Sequence, residues 1–223
     1  MPGIVGVTFH FQRLTGWQWV GRHFGYFWQL SVTTLELALV SVALGLAVAL
    51  PLGVLAVRRP ATSAPILGVT TVLYSLPSLA AFAFLVSVTG IGDITVVIPL
   101  TTYAVAILVR SVADGLRSVP AEVTTAATAM GYGSWRRLLG VELPVAVPVL
   151  LAGLRVATVA SISLETVGSL IGVGGLGQLF IAGEDAGFVA EIVSGIVIVA
   201  LWAAICDLLL VGAGRRLAPW ARA

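Results

Sequence analysis

The chain has 223 residues, 59% of them apolar and 10% charged, whereas charged side chains make up about a quarter of a soluble domain. With a mean hydropathy of +1.07, this composition excludes a soluble globular enzyme and a nucleic-acid-binding module. The net charge of +2 combines 12 basic with 10 acidic residues, and every basic residue is arginine. A P-loop and a Schiff-base site both need lysine, so any dependence on ATP must come through another chain.

Residues 1–30 carry Trp17, Trp19, Phe24, Tyr26, Phe27 and Trp28 beside Arg13 and Arg22. Rings of this kind favour the headgroup level, so an aromatic interfacial segment along the outer surface is expected, followed by one transmembrane domain over 31–223. The segment lacks the pattern of a cleaved signal and is expected to be retained. His10 and His23 lie thirteen apart, which matches no metal-ligand spacing, and the single cysteine, Cys206, makes no internal disulfide or multi-thiolate centre.

A helix needs about 20 apolar residues to cross a hydrocarbon core about 30 Å thick. Leu37 to Val57 is the first such run, and it ends at Arg58 and Arg59. Pro60 to Gly92 is uncharged and holds the second span, Ile66 to Val88. Within it Tyr74, Ser75, Pro77 and Ser78 stand together. A proline there removes a backbone hydrogen bond and bends the axis, and nearby hydroxyls can satisfy the freed carbonyls. The patch reads either as a packed kink or as the polar lining of a solute path.

Ile94 to Val109 is the third span, Val145 to Ser163 the fourth and Phe188 to Val211 the fifth. Together they describe an all-α integral membrane protein of about five transmembrane helices. Arg155 interrupts the fourth span, where exposure of a charge to lipid costs at least ~2.5 kcal/mol. It can pair statically with Asp207, Glu36 or a backbone carbonyl, or it can stand near the inner mouth and change partner during a cycle. Gly172-Val-Gly174-Gly-Leu-Gly177 satisfies the dinucleotide fingerprint, but it follows a membrane span and not a strand. Its glycines instead suit a tight, non-helical return of the chain at membrane depth.

Short cytoplasmic loops retain arginine. An outer N-terminus places Arg58, Arg59, Arg110, Arg117, Arg136, Arg137, Arg215, Arg216 and Arg222 inside, nine of the twelve, and leaves Asp93, Glu165, Glu184 and Asp185 in outer loops. The expected orientation is therefore N-terminus outside and C-terminus in the cytoplasm. About a dozen residues follow the fifth span, so a fused binding domain is not expected.

The inner loop over 114–144 carries the most information. Pro120 suits a helix start, Glu122 complements its positive end, and small residues continue to Met130. Gly131-Tyr132-Gly133 breaks the helix. Ser134 can cap a second short helix carrying Trp135, Leu138, Leu139 and Glu142, which ends where Leu143-Pro144 turns into the fourth span. The spacing Ala126-Ala127, three residues, Gly131, nine residues, Val141, one residue, Leu143-Pro144 resembles the Glu-Ala-Ala loop of the membrane subunits of ATP-binding-cassette importers. Similarity extends from about Leu73 to Phe180. Tyr74-Ser-Leu-Pro-Ser-Leu-Ala80, Thr89-Gly-Ile-Gly92, Leu151-Ala-Gly-Leu-Arg155 and Leu170-Ile-Gly-Val-Gly-Gly-Leu-Gly177 resemble the branch that imports glycine betaine, carnitine or choline.

The resemblance implies a type I importer permease in a bacterial-type inner membrane. It implies a coupling helix that docks on a cytoplasmic ATPase through Glu122, Thr125, Ala126, Ala127, Gly131, Tyr132, Gly133, Ser134 and Trp135. Thr125 stands where the motif usually has Glu, which removes one charge-assisted contact. The candidate path residues are Tyr74, Ser75, Pro77, Ser78, Arg155 and Glu165, with Tyr74 offering a ring face to a quaternary ammonium. The implied partners are two ATPase subunits that bind ATP and Mg, a second identical or homologous permease, an extracytoplasmic solute-binding protein and membrane lipid. No cofactor is expected on this chain. A permease for another small solute such as an amino acid, a stand-alone carrier and an intramembrane enzyme are the competing classes. The enzyme would need a nucleophile and base within the spans, and no histidine follows position 23.

Overall fold

The computed structural model describes residues 23–222, so expectations for residues 1–22, His10, Trp17 and Trp19 among them, lie outside it. The described residues form helices joined by short turns, with no strand among them. In chain order these are α1 (Phe24–Arg58), α2 (Pro60–Ser75), α3 (Ser78–Thr89), α4 (Asp93–Arg117), α5 (Ala121–Ala129), α6 (Ser134–Arg137), α7 (Leu143–Gly168), α8 (Gln178–Asp185) and α9 (Val189–Leu217). Helices suit an apolar medium because each one satisfies its own backbone.

Among the described residues four helical stretches are long and apolar enough to cross a membrane: Phe24–Arg58, Asp93–Arg117, Ser134–Ile171 and Val189–Leu217. The bent pair α2 and α3 makes a fifth candidate, in agreement with the five spans read from the sequence.

The structure corrects three local expectations. First, α1 begins at Phe24 and runs for 35 residues, so residues 24–30 are its opening turns and not a separate surface segment. Packing explains this, because Phe27 and Leu30 are buried against Leu176 and Leu179 and the Trp28 ring lies 6.2 Å from that of Trp202. Second, the second span is two helices meeting at 89° and not one kinked rod. The break falls at Leu76-Pro77, where Pro77 withholds its N–H and both residues are extended. Third, the chain does not turn at Leu143-Pro144. A π-helical turn, Leu138–Glu142, joins α6 to α7, and the Leu143 N–H bonds five residues back to the Leu138 carbonyl. That wider turn accommodates Pro144 at the start of α7.

Helix α4 is the hub, packed against α1, α2, α3 and α7. Its contact with α1 is close because Gly45 faces Ala104, where an added Cβ would stand 2.6 Å from the alanine methyl. Apolar residues gain little from leaving lipid for protein, so such small-residue contacts supply packing that burial alone does not. Val42, Ala49, Leu108, Val109 and Ala157 fill the centre of this interface. Helix α9 packs on α7 and α8 and leaves Val197, Leu201, Leu208 and Leu209 exposed, as expected of a lipid-facing helix.

Candidate functional site

The element over residues 114–144 is built on α5 and α6. Pro120 precedes α5 as its N-cap and Glu122 lies in its first turn. Gly133, and not Ser134, holds the N-cap position of α6, and no side chain caps that helix. Ser134 is instead the first helical residue, and its carbonyl accepts from Arg58 Nη2 at 3.3 Å.

Exposure divides the predicted docking residues in two. Ala127 is buried against the bundle, while Glu122, Thr125, Ala126, Gly131, Tyr132, Gly133 and Ser134 are exposed. Trp135 is 72% and Met130 70% exposed. The apolar side chains of α6 and the π turn therefore do not all tuck inward. Leu138 is buried, but Trp135 and Leu139 project from the surface, and the Arg136 guanidinium stands 5.7 Å from the Tyr132 ring centre.

An ion-pair network, which sequence reasoning missed, anchors this element. Glu142 is 8% exposed. Its Oε2 accepts from Arg58 Nη2 at 3.0 Å and its Oε1 from Arg137 Nε at 2.7 Å. Arg137 Nη1 also donates to Thr128 Oγ1 at 2.9 Å. One carboxylate thus ties the C-terminal end of α1 to α6, and through Arg137 to α5. Arg137 five residues before Glu142 was the available signal, but the fold alone chose Arg58 as the second partner.

The second region is the wall formed by α2, α3 and α4. At the Leu76-Pro77 break the Tyr103 hydroxyl donates to the Leu76 carbonyl at 2.6 Å, so a residue of α4 satisfies the acceptor that the break frees. Ser75 instead bonds back to the Val72 carbonyl at 2.8 Å. The Tyr74 and Tyr103 rings meet edge to face, 6.1 Å apart at 82°. On one side of this pair is an apolar cavity of about 390 Å³ touching Leu73, Leu76, Pro77, Phe84, Ile98 and Tyr103. On the other is a more polar cavity of about 590 Å³ that includes Thr71, Tyr74, Arg110, Ser111 and Asp114. At the break Tyr74, Ser75 and Pro77 are exposed and Ser78 is half-buried.

The other two predicted path residues lie elsewhere. Arg155 makes a two-point pair with Asp207, Nε to Oδ1 at 2.6 Å and Nη2 to Oδ2 at 2.8 Å, joining α7 to α9. Glu36 stays exposed. Glu165 sits inside α7 and not in an outer loop, and it is fully buried. The Thr34 hydroxyl lies beside its carboxyl, but neither carboxyl oxygen meets hydrogen-bond geometry with a protein group.

The glycine motif folds back over Glu165. Gly172 and Gly175 take positive φ values of 85° and 112°, and an added Cβ on Gly175 would collide with Glu165 Oε1. The Leu176 N–H donates to Thr34 Oγ1 at 2.8 Å, so the turn bridges α1 and α7.

Comparison with known proteins accords with this geometry. The chain is 33% identical over 191 residues to the osmoprotectant import permease protein OsmW of Salmonella typhimurium, covering 83% of this chain and 89% of that one. It is 34% identical over 185 residues to the choline transport system permease protein OpuBB of Bacillus subtilis, covering 83% and 85%. Among solved structures, an inward-facing conformation of the MetNI methionine ABC transporter superposes with a TM-score of 0.70 at 26% identity, covering 86% of this chain and 94% of that one. An amino acid ABC transporter shares the fold with a TM-score of 0.74 at 17% identity, covering 88% and 96%. Residues 27–223 match the family described as the binding-protein-dependent transport system inner membrane component, and the chain belongs to that family.

Proposed function

We propose that this chain is the permease subunit of an ATP-driven importer for a compatible solute such as glycine betaine, choline or carnitine. The solute class is supported by relatives named for osmoprotectant and choline transport. The observation that carries the coupling role is the exposed α5–α6 element, held to α1 through Arg58, Glu142 and Arg137. A pushed surface element moves a span only if the two are rigidly joined, and a shielded double ion pair is such a joint.

In this reading ATP and Mg bind on two partner ATPase subunits, whose closure displaces α5 and α6. A second permease, identical or homologous, completes the path across the face formed by α2 and α3, and an external binding protein delivers the solute. The N-terminus lies outside and the C-terminus in the cytoplasm, following the arginine distribution. The solute crosses chemically unchanged, and this chain contributes no nucleotide-hydrolysis site. Tyr74, Ser75, Pro77 and Ser78 line the path. The Arg155–Asp207 pair is a static tie, because both arginine bonds are already satisfied in one geometry.

The test is co-purification of the ATPase with this chain and ATP-dependent uptake in vesicles containing the reconstituted complex and its binding protein. Replacing both Thr125 and Trp135 with Arg is expected to abolish ATPase retention and uptake while leaving the permease folded. Retention of the ATPase at wild-type levels by this variant would sink the docking assignment. Tyr74→Ala is expected to reduce uptake, and normal uptake would remove Tyr74 from the path.

A further inference from the structure

Three contacts run in register along the α2–α4 wall. Tyr74 meets Tyr103, Arg110 Nη2 donates to Thr71 Oγ1 at 3.0 Å, and Arg117 Nη2 donates to Ser63 Oγ at 2.8 Å. Residue numbers fall on α2 as they rise on α4, so the two helices are antiparallel. The wall therefore presents, from the membrane interior toward the cytoplasmic end of α4, an aromatic pair, then the Arg110 cation, then Asp114 and Arg117.

Arg110 differs from Arg117 beside it on the wall and from Arg58 and Arg137, which anchor the coupling element. Arg117 has Asp114 at 3.7 Å, and Arg58 and Arg137 share Glu142. Arg110 has no carboxylate within ion-pair distance among the described residues, and its bonded neighbour is a neutral hydroxyl. It faces the cavity of about 590 Å³ that Tyr74 also lines. A guanidinium carries five N–H donors in a planar fork suited to a carboxylate, and one bond to Thr71 leaves most of them free. Thr71, which marks the level of Arg110, and Tyr74 are three residues apart on α2, about 4.5 Å of helix rise.

We propose that Tyr74 and Arg110 form a two-point subsite for a small zwitterion, with the ammonium on the Tyr74 ring and the carboxylate on the Arg110 fork. The inference rests on the reading of this wall as part of the solute path and adds which solutes the path itself favours. A cation attracted to an aromatic face and an anion held by a guanidinium both gain strength where apolar walls exclude water. The spacing suits an ammonium and a carboxylate separated by one to three carbons. The solute travels with its carboxylate leading toward the cytoplasm. Asp114, one turn beyond Arg110, repels that carboxylate and so limits how deeply it settles.

Glycine betaine and choline share the trimethylammonium group and differ in carboxylate against hydroxymethyl, so they separate the two points of the subsite. In vesicles holding the complete transporter and the same binding protein, the betaine-to-choline uptake ratio is measured for wild type, Arg110→Gln and Arg110→Lys. Within one preparation the ratio cancels differences in assembled protein. Loss of a charge-assisted carboxylate contact is expected to lower the ratio about tenfold or more in Arg110→Gln. Arg110→Lys keeps the charge without the fork and is expected to fall between, and it stands as the test if Arg110→Gln does not assemble. An unchanged ratio in the variants overturns the subsite. A wild type that accumulates choline but no carboxylate-bearing solute also overturns it while leaving the importer reading intact. If the wild type carries an amino acid in place of both probes, the compatible-solute reading falls, and the Arg110 ratio is read with that amino acid against its amide. No ATP-dependent uptake of any of these probes removes the path reading and the subsite together.

Discussion

Replacing Glu142 with Gln keeps the side chain's size and removes the charge that Arg58 and Arg137 share. Taking one partner from a fully buried ion pair costs about 3–5 kcal/mol. Glu142 is nearly buried, but the Arg58 and Arg137 side chains retain 30% and 25% exposure. Water therefore partly compensates them, and the expected loss is about 2–3 kcal/mol. For a chain of this size that corresponds to a fall of about 5–10 °C in melting temperature, measured on the detergent-purified complex. The loss falls on the joint between α1 and the α5–α6 element, so solute imported per ATP hydrolysed is expected to drop more than ATP hydrolysis itself. A double-mutant cycle with Arg58→Met isolates the pair and is expected to return a coupling energy of about 1–3 kcal/mol. If Glu142→Gln melts like wild type and imports as much solute per ATP, the network is a surface ornament and the rigid-joint reasoning is refuted.

The same wall and turns support other tests. Gly175→Ala places a methyl group against the Glu165 carboxyl at a backbone φ of 112°, which is expected to cost about 1–3 kcal/mol. The loss appears as lower thermostability, and a variant as stable as wild type would show that the turn does not close over Glu165. Tyr103→Phe keeps the ring beside Tyr74 but leaves the Leu76 carbonyl without its donor, an expected loss of about 1 kcal/mol. Tyr103→Ala is expected to destabilise more, and equal stability of wild type and both variants would refute the bracing role. Arg155→Leu strands Asp207 and is expected to reduce assembly, whereas the double variant Arg155→Leu, Asp207→Leu regains assembly and ATP-dependent uptake. Assembly without uptake in the double variant would show that the pair works in the cycle.

The five spans were legible because crossing a membrane imposes a long apolar run, and such a run is visible without knowledge of neighbours. Helix ends were less legible. Residues 24–30 extend α1 because Phe27 and Leu30 find Leu176 and Leu179 about 150 residues away in sequence, and no local signal announces that contact. The Pro77 patch marked the right place, but a proline predicts a bend and not its size. The break measures 89°, and the Leu76 carbonyl that it frees is bonded by Tyr103 of α4, a partner 27 residues away. The glycine motif was expected to make a tight return of the chain because it follows a span, and Gly172 and Gly175 do take positive φ. Its tie to Thr34 and its closure over Glu165 required three distant segments to meet.

The arrangement of charges divides along the same line. The clustering of arginine in alternate loops is visible in the chain alone, because it needs only residue order. Which arginine finds which carboxylate depends on distances of a few ångströms between helices far apart in the chain. Residue order therefore determined a multi-span membrane protein with a helical loop element between its third and fourth spans. Only the packed helices decided that Glu142 binds two arginines, that Arg155 is held by Asp207, and that Arg110 faces a cavity without a carboxylate of its own. The reason is range: hydropathy is a property of neighbouring residues, whereas an ion pair exists only where the tertiary fold brings its two ends within about 4 Å.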